Sequence, residues 1–552
     1  MKAKAPTSLS LLLLLILTYP ISGHFHAKGR AVPVTVSDTS SSATTAFVRP
    51  QSNQPSALPI SIDDGTDDGI LFRQAAIIGI VTAAMGHVYG HILDGTVKGV
   101  WSHIPNYLQK RGILDNAVGH WYIPMTCSIG GLIMGILSIK LKPSFVVADF
   151  VRALSGSDAD MSIFPTKLMP ALSNLLLLSL VTSTFGFSVG PEAPMVCAGG
   201  LVGKALSNRW NDECNTKTQV GCDRDVIMTY AGAAGALTAF MGIPLAGSIF
   251  ALELTRASAG MASAATDALV PAVVASVAAL AFIRGIADPH SSVGGHFRYL
   301  PSIPNPSGRV TIVTSLVCGI GGAFIATIFH KTVHFLKDVL WSELVPDDDN
   351  VKDGSIYASF QIHREVFVKT AIGIAVGALS MKYPTTMFWG EGSLQTAIDG
   401  QQTPFADTKH GLPSFLTAHA NVDPNAPCET LWAATQVGVA KLISITLACA
   451  GKFPGGIIFP LFFAAAPIAN AMCGFFSHHL EIPVNSVAIM ALMASTQASV
   501  TRTPLASVLM LTLSASPGTE LSKMLPCVIL SSYIGVFCSR YISKESYFTY
   551  SK

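Results

Sequence analysis

A carboxylate set inside a broken apolar segment is the residue of this chain best placed to do chemistry. Glu192 lies in Gly190-Pro191-Glu192-Ala193-Pro194, directly after the apolar run Leu175–Phe187. A second interruption, Gly451-Lys452-Phe453-Pro454-Gly455-Gly456-Ile457-Ile458-Phe459-Pro460, lies in the other half. Inside a bilayer, backbone released from a helix must be buried by protein or line a cavity. Matching interruptions in two halves point to an ion or substrate site near the midplane. Taking a small ion out of water costs on the order of 20 kcal/mol in the idealised limit. The dipole of one helix end returns only about 0.3–2 kcal/mol, so several converging ends and hydroxyl donors are needed. Both interruptions can supply ends. Pro194 suits the first turn of a helix through Met195–Leu206, and Gly455 and Gly456 would let the amides of Ile457 and Ile458 approach an ion closely. Glu192, at the first helix mouth, is itself an anion; it can fill the place of a permeant one and leave it on protonation. The same spacing also fits an acidic N-cap that only satisfies orphan amides.

The elements that must position these residues are membrane helices. Of 552 residues, 50% are hydrophobic and 12% charged, against about 25% charged in ordinary globular chains. Apolar stretches recur at Ala75–Met85, Ile123–Ile139, Val226–Leu254, Ala268–Ile283, Val310–Ile328, Val366–Leu379, Leu431–Cys449, Phe459–Phe476, Val487–Met493 and Leu525–Cys538. Some approach the roughly 20 residues of a spanning helix and others fall short, which predicts tilted and re-entrant helices in one polytopic all-α domain. The balance of 35 basic against 33 acidic residues gives a net charge of +2 with no long basic run, so nucleic-acid binding has no support. Most cysteines sit in apolar segments as small buried hydrophobes; Cys214 and Cys222, in the polar stretch Asn208–Asp225, could pair in an oxidising compartment. His87 and His91 have the spacing of a zinc-binding helix face, but Val88 stands where the protease motif has glutamate. That pair reads as a helix face and His478-His479-Leu480-Glu481 as an interfacial loop, so neither a metal site nor an enzyme is expected.

At the start, Lys2 and Lys4, the apolar core Leu9–Leu17 and Ser22-Gly23 form a signal-peptide pattern over residues 1–23. Residues 24–69 are rich in Ser, Thr, Ala and Pro and poor in acids until Asp63. This composition fits a disordered linker or a transit-like element; the two together would serve a plastid with extra membranes, or an endomembrane. The membrane domain is expected over 70–552, and with few residues after Tyr547 no C-terminal regulatory domain is expected.

In these motifs the chain resembles the CLC family of voltage-gated chloride channels and chloride/proton exchangers. The family's Gly-x-Glu-Gly-Pro signature is met at Gly190–Pro194 with Ala193 in place of the second glycine. Its Gly-x-Phe-x-Pro signature, preceded by Pro-Gly-Gly, is similar to Pro454–Pro460 with the aromatic displaced by one position. Gly242–Phe250 and Thr501–Ala506 extend the likeness, which runs in the family's order from about Ile70 to Tyr547. The resemblance implies an inverted-repeat helical fold with broken, re-entrant helices, a homodimer in the lipid bilayer, and one anion pathway in each subunit. It makes Glu192 the gate and assigns anion binding to Gly190, Ala193, Gly456 and the amides of Ile457 and Ile458. A gap-free count from Leu525-Pro526 puts Tyr547 on the pore tyrosine. The segment that carries the pore serine is not recognisable; Ser144 is the best candidate, ahead of Ser155 and Ser157, which also fit turn residues. No cofactor is implied, chloride being the bound and transported ion.

One departure bears on mechanism. Exchangers of the family carry two adjacent glutamates where this chain has Glu253-Leu254 in Phe250–Arg256. Adjacent helical positions differ by about 100°, so Glu253 does not stand in for its neighbour, and leucine takes no proton. The expectation is a gated anion channel, with a chloride or nitrate/proton exchanger using a non-standard internal proton path as the alternative.

Overall fold

The computed structural model describes residues 65–115, 118–141, 145–155, 159–214, 219–259, 267–287, 297–299, 308–341, 354–399, 416, 431–480, 486–516, 520–543 and 547. Two compact units divide the chain, Met1–Asp68 and Gly69–Lys552; of the first, only Gly65–Asp68 are described, in the opening turn of a helix. The expected leader and Ser/Thr-rich segment, Ser144, Ser157 and the side chains of Cys214, Cys222, His478 and His479 lie outside the described residues.

Helices dominate the larger unit. The first half runs α1 (Gly65–Lys98), then through Gly99–His103 into α2 (Ile104–Lys110), α3 (Tyr122–Leu141), α4 (Val147–Leu154), α5 (Leu168–Thr184), α6 (Glu192–Cys214), α7 (Gln219–Met241), α8 (Pro244–Ala259) and α9 (Leu269–Phe282). The second runs α10 (Gly308–Trp341), α11 (Gly354–Lys382), α12 (Leu394–Ile398), α13 (Leu431–Ala450), α14 (Ile458–Leu480), α15 (Ser486–Thr501), α16 (Pro504–Leu513) and α17 (Leu521–Ile542). With α2 taken as the tail of α1, the second half repeats the first in order. The packing repeats too: α7 packs against α6, α8 and α9 as α15 packs against α14, α16 and α17. Across the halves, two sets of counterparts pack on each other, α3 on α11 and α8 on α16.

Six described stretches are long and apolar enough to cross a membrane: Gly69–Lys110, Gly119–Leu141, Leu269–Ala287, Gly308–Trp341, Trp432–Ala450 and Leu521–Ile542. Leu168–Thr184, Ile458–Cys473, Val487–Thr501 and Pro504–Leu513 are apolar but shorter, the mixture expected of re-entrant helices. Large apolar side chains such as Ile129, Phe324 and Phe537 are exposed on the outer faces, which suits lipid as the surrounding solvent. With lipid outside, helices associate by close packing rather than by expelling water, and small residues permit that approach. At the α3–α11 contact, a side chain at Gly131 would collide with the Lys369 carbonyl and one at Gly373 with that of Cys127.

Candidate functional site

The two interruptions are built alike. α5 ends at Thr184 and α13 at Ala450, and each is followed by a residue in the left-handed region, Gly186 (φ 80°) and Lys452 (φ 55°). This turn stops a helix by caps that normally favour glycine. From there the segments run in register, Phe187 with Phe453, Gly190 with Gly456, Glu192 with Ile458 and Pro194 with Pro460. The rings of Phe187 and Phe453 lie 4.2 Å apart. The Gly190 N–H donates to the Gly456 carbonyl at 2.8 Å, and the Gly456 N–H donates back to the Gly190 carbonyl. These reciprocal bonds satisfy backbone that no helix covers and bring the starts of α6 and α14 face to face.

Glu192 is the first residue of α6 and is fully buried. Its carboxylate occupies the space between the two bridged glycines: a side chain at either Gly190 or Gly456 would run into it. It faces its own amide and that of Phe459 in the first turn of α14, yet neither oxygen closes a hydrogen bond of good geometry. A carboxylate thus stands at two helix N-termini, where unpaired amides and dipoles favour an anion, without being firmly tied there.

Polar side chains surround this point. Midway along α13, Lys441 is fully buried and donates to the carbonyls of Thr386 (3.0 Å), Met387 (3.3 Å) and Phe388 (2.7 Å). Its ammonium also lies 5.1 Å from the Phe463 ring centroid, on α14. Ser188, in the first broken segment, donates to the same Thr386 carbonyl and lies 2.6 Å from Ser444 Oγ, one turn along α13 from Lys441. The Phe388 N–H donates to the Gly186 carbonyl at 3.2 Å. One lysine and two serines therefore clamp the 386–388 turn to the segment that ends in Glu192. On the α1 side, the Tyr89 hydroxyl is 2.9 Å from Ser179 Oγ.

The family profile described as voltage gated chloride channel matches residues 130–540, about three-quarters of the chain, and spans both halves of this site. The chain belongs to the voltage-gated chloride channel family. It is 23% identical over 493 residues to the chloride channel protein CLC-f of Arabidopsis thaliana, an alignment covering 82% of this chain and 54% of that one. The chain thus spans about half the length of that relative. It is 24% identical over 375 residues to a chloride/fluoride channel protein of Pseudomonas syringae pv. tomato, covering 67% of each. Among solved structures, a slow cyanobacterial Cl−/H+ antiporter superposes with a TM-score of 0.64 at 16% identity, over 87% of this chain and 96% of that one. A CLC-type fluoride/proton antiporter gives 0.57 at 16% identity, over 88% and 98%. The fold is that of the CLC proteins, and the protein is a multi-pass membrane member of the family.

Of the residues singled out in the sequence, Gly190, Glu192, Ala193, Gly456, Ile457 and Ile458 come together at the facing helix ends. Within that group the amides of Gly190 and Gly456 serve each other, so the amide facing Glu192 from α14 is that of Phe459. Tyr547 stands apart. It packs beside Phe329 and His330 of α10, with ring centroids 5.6 and 5.9 Å away, and under the Lys337 ammonium at 5.8 Å. It still borders the same apolar cluster as Ile457 and Phe453. Ser155 donates to the carbonyls of Val151 and Thr255, the latter at 2.9 Å, and joins α4 to α8. The Glu253 carboxylate accepts from the Leu505 N–H at 3.2 Å and the Ala506 N–H at 2.8 Å, capping α16 across the interface between halves. Leu254 beside it is buried. On α1, His87 and His91 approach to 3.1 Å between Nε2 atoms; among the described residues no three metal-ligating side chains gather.

Sequence reasoning missed Lys441, Ser188 and the Phe459 amide. Lys441 left a visible signal, a lone lysine in the apolar run Leu431–Cys449, since ionisable residues at membrane depth are costly and mark functional places. Ser188 left none, because serines are common in these segments.

Proposed function

We propose that this chain conducts anions across a membrane through the junction of α6 and α14, with Glu192 as the gate and chloride as the leading candidate ion. One observation carries the reading: a fully buried carboxylate fills the space between Gly190 and Gly456, facing the amide ends of two helices, with neither oxygen closing a hydrogen bond. Amide ends that accommodate a carboxylate suit a small anion of the same charge. While ionised, Glu192 competes for that position. Once protonated it loses the attraction of the helix ends, and a permeant anion can take its place. Flux should therefore rise as pH falls. Tyr547 and Ser144 are proposed as hydroxyl donors to the permeant anion, and Tyr547→Phe should weaken chloride binding severalfold, as read by isothermal titration. The working unit is proposed to be a homodimer with a pathway in each subunit.

Passive conduction is preferred over proton-coupled exchange because of Leu254 and Glu253. A proton relay needs titratable groups through the apolar interior. Leucine cannot be one, and the neighbouring carboxylate is engaged by two backbone amides of α16. Exchange remains the second reading because two solved structures that share the fold are antiporters. Flux from proteoliposomes under imposed chloride and proton gradients separates the two. A channel gives a reversal potential set by the anion gradient alone, with no uphill proton movement. Chloride-driven proton pumping by the purified protein would replace the channel reading with exchange, and loss of pumping in Glu253→Gln would identify the relay.

A further inference from the structure

Lys441 is neither a motif residue nor part of the gate, yet it occupies a demanding position for a cation. It is midway along α13, a 20-residue helix, and at about 1.5 Å per residue that leaves roughly 15 Å to either end, half the thickness of a bilayer core. It is fully buried. Three carbonyls of one turn hold the ammonium. Carbonyls solvate a cation without neutralising it, so its field persists in surroundings of low dielectric, where a unit charge acts strongly over several ångströms. The turn and Ser188 tie that charge to the segment leading into Glu192, and Lys441 is among the charges that act on the Glu192 carboxylate.

We infer that Lys441 is the fixed positive charge that sets anion occupancy at the Glu192 position, favouring the ionised carboxylate when the path is closed and the permeant anion when it is open. This rests on the anion-transport reading above. A simple staple would need only hydrogen-bond donors to the 386–388 carbonyls. A charge-setting residue must also act on whatever sits between Gly190 and Gly456. Among the described residues, the charged and titratable groups that act electrostatically on Glu192 are Tyr89 on α1, Glu391 in the segment before α12 and Lys441 on α13. Glu391, held by the Trp389 indole N–H at 3.1 Å, opposes ionisation of Glu192; Lys441 favours it. The sign follows. Without the lysine charge, ionised Glu192 is less favourable, so it takes up a proton at higher pH, and chloride binds less tightly.

The test uses the full-length protein, with chloride titrated calorimetrically in detergent and chloride flux followed from proteoliposomes between pH 4 and 8. Lys441→Met should raise the chloride half-saturation about tenfold, the scale of one unit charge acting through a protein interior, and move the acid-activation midpoint to higher pH. Lys441→Gln, which keeps an amide donor for the carbonyls but no charge, should behave like the Met variant, and Lys441→Arg should stay near wild type. In a Glu192→Gln background the pH shift should vanish while the loss of affinity persists. A folded Lys441→Met or Lys441→Gln protein with wild-type half-saturation and pH profile overturns the inference and leaves a structural staple. So does failure of both neutral variants to fold while Lys441→Arg folds. Wild-type protein that neither binds nor conducts chloride would instead overturn the anion-transport reading itself.

Discussion

The two halves share a backbone plan and divide the chemistry between them. Both break after a helix with a residue in the left-handed region, and both start a new helix five residues after a phenylalanine whose ring touches its counterpart. At matching positions the side chains part. Glu192 corresponds to Ile458, and counting back from the ends of α5 and α13 pairs Leu175 with Lys441. At two corresponding left-handed turns the residues are Gly186 and Gly242 in the first half but Lys452 (φ 55°) and Arg502 (φ 63°) in the second. The first half supplies the carboxylate and the second supplies cations. Symmetric backbone converges helix ends on one point, while asymmetric side chains put a buried carboxylate there from the first half and a buried lysine on α13 from the second. Two carboxylates there would repel each other, and two leucines in place of Leu175 and Lys441 would leave the amides as the main source of positive potential.

Moving or deleting the negative member should have the largest effect. Glu192→Ala empties the position between the glycines, and Glu192→Gln imitates the protonated form. Both should raise chloride flux at neutral pH by tenfold or more and flatten the pH profile. A purified Glu192→Ala protein that keeps the wild-type rate and pH response would show that the asymmetry at this position is not the gate.

The glycines test the symmetric part. At Gly456, a branched side chain would strike the Glu192 carboxylate and approach the Ala193 amide, and Gly190 meets the same carboxylate from the other side. Gly456→Val should cut conduction at least tenfold. If collision with the carboxylate is the cause, Glu192→Ala combined with Gly456→Val should recover part of the flux. No recovery in a folded double variant would assign the defect to the bridge between the halves instead.

The fold was legible in the sequence because Gly/Pro breaks, apolar runs and their order are local signals that each half states once. Glu192 was legible for the same reason, being a carboxylate inside a break. The site's second layer was not. The paired amides of Gly190 and Gly456 use up donors that the motif alone offers to an ion, and nothing local to either segment reveals that the other lies against it. The clamp through Ser188, Ser444 and Thr386 joins three segments distant in sequence. Tyr547 shows the limit from the other side: a count along the chain named the residue, but its neighbours on α10 could be known only from packing.

Glu253 sharpens the comparison at the next pair of helices. α8 and α16 open alike, with Pro244-Leu245-Ala246 and Pro504-Leu505-Ala506, and Glu253 of the first reaches across to cap the second through two amides. Hydrogen bonds to a charged group contribute about 1.5–3 kcal/mol, so Glu253→Gln should lower the thermal midpoint by several degrees. Passive chloride flux at the midpoint of the pH profile should change less than twofold. A large fall in flux without loss of stability would mean that this carboxylate serves the pathway rather than the joint between halves.

The smallest effect is expected at the left-handed turns, where the halves differ most in residue type. A non-glycine residue there costs about 1–2 kcal/mol. Lys452 keeps that conformation while its ammonium lies 4.4 Å from the Trp341 ring centroid, a contact worth roughly 0.5–1 kcal/mol at an exposed site. Lys452→Gly relieves the backbone but loses the ring contact and loosens the unfolded chain, an entropic cost of about 0.5–1 kcal/mol. These terms nearly cancel, and the change in stability should stay within about 1 kcal/mol. Gly186 has no such compensation. At φ 80° an added methyl is strained, and it would sit 3.1 Å from both Met387 Cε and Trp101 Cζ2. Gly186→Ala should therefore be the more damaging change, by about 1–2 kcal/mol, in parallel thermal melts of the two variants. Equal melting points for both, or a clear gain in Lys452→Gly, would show that the lysine turn is strained without return and that the second half's cations are not held there by their contacts.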